Sequence, residues 1–72
     1  MKGGGSMVEL KYRLRELRKK EGLTQQELAN RSNVSRALIA GLESGAITET
    51  STATLKKLAE AFNIKVYQIF FR

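Results

Sequence analysis

The side chains able to do chemistry in this chain are nearly all cations. Thirteen Lys and Arg stand against seven Glu, with no Asp, His or Cys, giving a net charge of +6 over 72 residues. The commonest proton shuttle and metal ligand is absent, and so are thiolate nucleophiles, disulfides and zinc–thiolate sites. Nucleophile–base pairs of the usual kinds cannot be assembled, so no catalytic residue, metal ligand or cofactor is expected, and no enzyme activity. What a guanidinium does well is hold anions, pairing through two parallel N–H bonds with a carboxylate, a phosphate or the O6/N7 edge of guanine. A field of this sign on so small a chain favours polyanions, nucleic acid ahead of an anionic membrane surface, although it also serves plain solubility.

The placement of these groups depends on the elements that carry them. Met1-Lys2-Gly3-Gly4-Gly5-Ser6 is Gly/Ser-rich and is expected to be a flexible leader, an expression scar by its look, with one domain over residues 7–72. Leu10, Leu14 and Leu17 recur at helical spacing in residues 8–21, with Glu9 early and Arg18, Lys19 and Lys20 late, the order a helix dipole favours; Gly22 ends the segment. Thr24-Gln25-Gln26-Glu27 fits a capping box, with Leu23 placed to staple onto Leu28, so a second helix is predicted over about 24–31. Asn33 tolerates the left-handed conformation that a tight turn needs. Ser35 is the next cap, with Val34 placed to staple onto Ile39, for a third helix over about 36–43 that ends at Ser44-Gly45.

A polar loop over 46–51 leads to a fourth helix starting near Ser51 or Thr52. It carries Leu55, Leu58, Ala59 and Phe62 at helical spacing, and Asn63 breaks it. A short fifth helix is expected over 64–71, with Ile64, Val66, Ile69 and Phe70 packing down. The fold class is therefore all-α, five short helices. No apolar run approaches the length that spans a bilayer and no signal-peptide pattern is present, so no membrane partner and a cytoplasmic location are expected.

Two short helices joined by a three- or four-residue turn make the αα unit of a helix-turn-helix. Ala29 is small enough for close helix approach, Asn33 can make the turn, Ile39 and Leu42 can lock the second helix on the first, and Arg36 faces out. With these features the chain resembles the phage repressor and Cro-like (XRE-type) helix-turn-helix domains, the lambda-repressor-like fold; relatives of that family are a standard illustration of major-groove docking. The matching segments are Leu14-Arg15-Glu16-Leu17-Arg18, Gly22 through Ala29, Val34-Ser35-Arg36, Ile39, Leu42-Glu43 with Gly45, and Leu55 through Phe62, so the resemblance covers about residues 8–70.

The resemblance implies a double-stranded DNA-binding transcriptional regulator, a repressor acting as a dimer, nucleoid-associated when bound. It implies backbone or base contacts for Thr24, Gln25, Ser35, Arg36, Ala37, Ala40, Gly41 and Thr48. Arg36 is the candidate for guanine readout, with a phosphate contact as its plainer role. Ala40 and Gly41 stand where relatives often carry longer polar side chains, which leaves fewer base edges in reach and more weight on DNA shape. Glu49 occupies a loop that is often basic in relatives. Arg18 and Glu43 match a structural charge pair between the first and third helices.

Arg13, Arg15, Lys19, Lys20, Lys56 and Lys57 read mainly as a solvated face, with pairs such as Glu16–Lys20, and secondarily as phosphate contacts. Tyr67 and Phe71, four apart, are candidates for a homodimer interface, or else wrap onto the first helix near Tyr12. The settings that fit are a phage-type repressor, a restriction–modification controller, or an antitoxin with a toxin partner. The alternative is a protein-interaction or coactivator module on the same fold, which the short Ala40 and Gly41 favour.

Overall fold

Helix ends are set locally in this molecule, and they explain most of its architecture. A computed structural model describes residues 8–71; the expected leader, residues 1–6, lies outside them, as do Met7 and Arg72. Among the described residues the order is α1 (Leu10–Lys20), α2 (Gln25–Ser32), α3 (Arg36–Ser44), α4 (Thr52–Ala61) and a 3₁₀ turn over Val66–Ile69. At the end of α1, the Leu23 N–H donates to the Arg18 carbonyl and the Gly22 N–H to the Lys19 carbonyl, each at 3.0 Å. This is a Schellman closure, and it needs the positive φ of 69° that Gly22 adopts. The same pairing of bonds closes α4 around Asn63, whose φ is 56°.

The expected caps are formed. The Glu27 N–H donates to Thr24 Oγ1 at 3.0 Å and the Thr24 N–H to Glu27 Oε1 at 2.8 Å, a complete capping box. Ser35 Oγ accepts from the Leu38 N–H and Ser51 Oγ from the Thr54 N–H, each at 3.1 Å. Asn33 has φ 61° and makes the turn between α2 and α3.

One core holds these elements together. Leu14, Leu28, Ile39, Leu42, Leu58 and Ile69 are fully buried, with Leu17, Ala29, Val34, Ala59 and Phe62 around them. α3 packs on both α1 and α2, α2 on α4, and the 3₁₀ turn on α4 and α1. Ala29 lies in the buried cluster with Val34, Ile39 and Leu42, which is how α2 and α3 hold a fixed relative angle. No helix of the described residues is long and apolar enough to cross a membrane.

The tail differs from expectation. In place of a fifth α-helix over 64–71 there is the single 3₁₀ turn. The reason lies in where its backbone bonds go. Arg13 Nε donates to the Gln68 carbonyl at 3.0 Å, and the Val8 N–H donates to the Phe70 carbonyl at 2.7 Å. These tertiary bonds pin the turn to α1 and to Val8, while its own bonds run from i to i+3, Gln68 N–H to the Lys65 carbonyl and Phe70 N–H to the Tyr67 carbonyl, in a segment whose β-branched Ile64, Val66 and Ile69 have little helix preference. The anchoring still buries Ile69 and half-buries Val66 and Phe70. Arg13, read from sequence as solvated, is thereby tied down; its guanidinium also holds Glu16 at 2.8 Å and its side chain is only 15% exposed.

Candidate nucleic-acid interface

Side chains on a helix advance by about 100° per residue. On α3, Ile39, Leu42 and Glu43 are buried and Leu38 half-buried, so the opposite side is led by Ala37 and Ser44, both exposed. Arg36 and Ala40 flank that side on one edge and Gly41 on the other. The outward surface of α3 therefore consists of small side chains with one exposed guanidinium at its N-terminus.

Arg36 is not isolated. Its Nη1 donates to Gln25 Oε1 at a long 3.5 Å, and Gln25 Nε2 donates to Glu43 Oε1 at 3.3 Å. The carboxylate requires a donor and the guanidinium an acceptor, which fixes the orientation of the Gln25 amide. Arg36 and Glu43 are seven residues apart, two turns on one edge of α3, and Gln25 at the start of α2 bridges them.

Glu43 anchors the network. Arg18 grips it with both arms, Nε to Oε2 at 2.7 Å and Nη2 to Oε1 at 2.9 Å, while Arg18 Nη1 donates to the Leu23 carbonyl at 2.8 Å. Arg15 lies alongside, with Nε 3.7 Å from Glu43 Oε1 and Nη2 donating to the Glu43 carbonyl at 3.4 Å. The Glu43 side chain is 1% exposed. Burial pushes its carboxyl upward, but the hydrogen bonds from Arg18 and Gln25 and the charges of Arg18 and Arg15 outweigh that, and it titrates below the usual carboxylate range. The Glu43 carboxylate holds Arg18 above its ordinary value, mainly through the hydrogen bonds and against the smaller effect of burial. Three helices thus meet at one buried charge, and the N-termini of α2 and α3 are held side by side.

The other expected contact residues are distributed as follows. Thr24, Ser35 and Thr48 are exposed, and the first two use their oxygens as caps while keeping a hydroxyl hydrogen to donate. Gln25 is half-buried with both ends of its amide engaged within the protein. Ala40 is half-buried. Gly41 serves packing: a Cβ there would lie 2.5 Å from Ile47 Cδ1 and 2.8 Å from Ile47 Cγ1, and the Ile47 N–H donates to the Gly41 carbonyl at 3.0 Å. Ile47 was missed from sequence. The available signal was a glycine inside a helix, which costs about 1 kcal/mol against alanine and so asks for a packing reason. Tyr67 and Phe71 are exposed, at 59% and 40%, with Tyr12 at 52%. Among the described residues no cluster of three or more acidic or imidazole groups could hold a metal ion.

Comparison with known proteins agrees with this geometry. The helix-turn-helix family model matches residues 14–69. A competence pilus inhibition repressor from Acinetobacter baylyi is 49% identical over 57 residues, which cover 79% of this chain and 51% of that one. The chain thus spans about half the length of that relative. A helix-turn-helix transcriptional regulator from Archaeoglobus fulgidus is 38% identical over 61 residues, covering 85% of this chain and 86% of its own length. Among solved structures, the restriction–modification controller protein C.AhdI from Aeromonas hydrophila superimposes with a TM-score of 0.80 at 38% identity, covering 88% of this chain and 94% of that one. The biofilm master regulator SinR, solved in complex with DNA, also gives 0.80 over 83% of this chain and 95% of its own; at 23% identity it speaks to the fold alone. The paired α2 and α3, the left-handed Asn33 between them and the family match over most of the chain lead to one assignment: this chain belongs to the helix-turn-helix family of transcription regulators, of the phage repressor and Cro-like (XRE) type.

Proposed function

We propose that the chain is a sequence-specific double-stranded DNA-binding repressor that acts as a homodimer and places α3 in the major groove. The observation that carries this is the exposed Arg36 at the N-terminus of α3, on the edge where Gln25 and Glu43 brace it. Side chains at the start of a recognition helix are the ones that reach base edges. In this reading Arg36 takes the O6/N7 edge of a guanine, Ala37 and Ala40 lie against the bases, and Thr24, Ser35 and Thr48 donate to phosphates. Gln25 reaches a phosphate only if its amide leaves one of its present partners. Tyr67 and Phe71 supply the dimer contact, and two-fold pairing sets half-sites about 34 Å apart. The relatives named as a repressor and as a controller support the regulatory role, and the compartment is that of the DNA.

Selection of bound duplexes from a randomised pool, repeated with Arg36→Ala, tests the proposal. The expected result is a two-fold symmetric motif from which Arg36→Ala removes the preference for guanine at one position per half-site. A uniform loss across all sequences demotes Arg36 to a phosphate contact. Failure to enrich any duplex overturns the reading in favour of a protein-interaction module, which the small outward face of α3 would suit.

A further inference from the structure

Apart from Arg36 and the Ser44 hydroxyl, the outward side of α3 offers bases no side-chain hydrogen-bonding group. What it offers is methyl surface. The Ala37 and Ala40 side chains are methyl groups, and next to them the space that a side chain at 41 would fill is taken by Ile47 from the following loop. Ile47 is held there at two points. Its N–H donates to the Gly41 carbonyl at 3.0 Å, and its Cγ1 and Cδ1 lie directly over Gly41. It is half-buried, packed against the edge of the hydrophobic core with part of its surface accessible. Thr48 and Glu49, next in the loop, are exposed. The loop thus sets beside α3 a branched apolar side chain that the helix's own outward side lacks.

We propose that Ile47, seated on Gly41, is a specificity-determining residue that recognises the 5-methyl group of a thymine in the half-site read by Arg36. The inference rests on α3 entering the major groove. There the thymine methyl is the one apolar feature a base pair presents, and an apolar side chain is its natural partner. Gly41 is the enabling residue: any side chain at 41 would push Ile47 off the helix. Burying one methyl group is worth about a fourfold change in affinity.

The test uses the full chain and the duplex recovered by selection. Each thymine is replaced in turn by deoxyuridine, which removes only the methyl, and affinity is measured for wild type, Ile47→Ala, Ile47→Val and Gly41→Ala. The expected result is a loss of about fourfold at one thymine per half-site for wild type, no loss there for Ile47→Ala, and a reduced loss for Ile47→Val. Gly41→Ala keeps the isoleucine but displaces it, and is expected to remove the sensitivity at that thymine. Circular dichroism melting shows which variants are folded; Ile47→Val, the smallest change, keeps the comparison decisive if Ile47→Ala unfolds. Equal affinity for thymine and uracil at every position in wild type overturns the proposal, as does a methyl sensitivity unchanged in all three variants. Either outcome leaves duplex binding itself intact, whereas recovery of no duplex at all overturns the DNA-binding reading together with this one.

Discussion

Replacing Arg18 with methionine isolates the charge on which α1, α2 and α3 converge. The substitution keeps most of the side-chain volume and removes both hydrogen bonds to Glu43, at 2.7 and 2.9 Å. The Glu43 side chain, 1% exposed, is left with the Gln25 amide at 3.3 Å and the more distant Arg15. Orphaning a buried ion-pair partner costs about 3–5 kcal/mol. Arg15 is 48% exposed and its Nε lies 3.7 Å from the carboxylate, so it can swing closer, which places the expected loss near the lower end, about 3 kcal/mol. For a domain of this size that is a melting temperature lower by about 12–24 °C. It is also a large share of a total stability on the order of 4–11 kcal/mol.

The assay is thermal and urea unfolding followed by circular dichroism, for Arg18→Met and for the double variant Arg18→Met/Glu43→Leu. The double variant removes the stranded charge and replaces it with packing, so it should recover most of the loss. A cost below about 1 kcal/mol for Arg18→Met, or a double variant no more stable than the single, refutes the reasoning. The first result would mean that Arg15 and Gln25 suffice to satisfy Glu43; the second, that the cost lies in the lost bond from Arg18 to the Leu23 carbonyl.

Other consequences follow from the same geometry. Glu43 titrates lower in the folded chain than in the unfolded one, so its contribution to stability is present above the ordinary carboxylate pKa and is lost as pH falls through the depressed folded value; urea midpoints from neutral pH down to pH 3 should show this acid-side fall, and Glu43→Gln should flatten it. Asn33 at φ 61° carries left-handed strain, so Asn33→Gly should leave stability equal or slightly higher while Asn33→Val lowers it by about 1–2 kcal/mol in urea unfolding. Thr24→Ala removes the hydroxyl half of the capping box and should cost about 1 kcal/mol in the same assay, with Thr24→Ser near wild type. Sedimentation equilibrium should show a dimer that Tyr67→Glu or Phe71→Glu dissociates without unfolding the domain, since both side chains are exposed in the single chain; a wild-type monomer at high concentration would dismiss that interface.

What could be read from the sequence was what is decided within one helical turn. Thr24 with Glu27, Ser35 before Leu38, and Asn33 after Ser32 act on neighbouring backbone groups, so residue type and spacing were enough to place the caps and the turn. The core faces were equally visible, because Leu14, Leu28, Ile39 and Leu58 fall on the apolar side of their own segments whatever packs against them. The tail was not visible. Where it docks depends on Arg13 and Val8 reaching carbonyls more than fifty residues away along the chain, at Gln68 and Phe70. The same limit applies at the interface. That Arg36 stands out from α3 follows from periodicity, but that Gln25 connects it to Glu43 follows only from how α2 and α3 are set side by side. Gly41 looked like a gap in the reading surface, and only the path of the following loop shows Ile47 lying over it.

The electrolyte dependence of duplex association tests the central claim most directly. Each phosphate neutralised by a Lys or Arg should steepen the plot of log affinity against log salt by about 0.9, so a docked helix-turn-helix that engages even two of its cations predicts a slope of about −1.8 or steeper. A flat line, or no association with duplex even at low ionic strength, would show that the outward face of α3 meets something other than DNA.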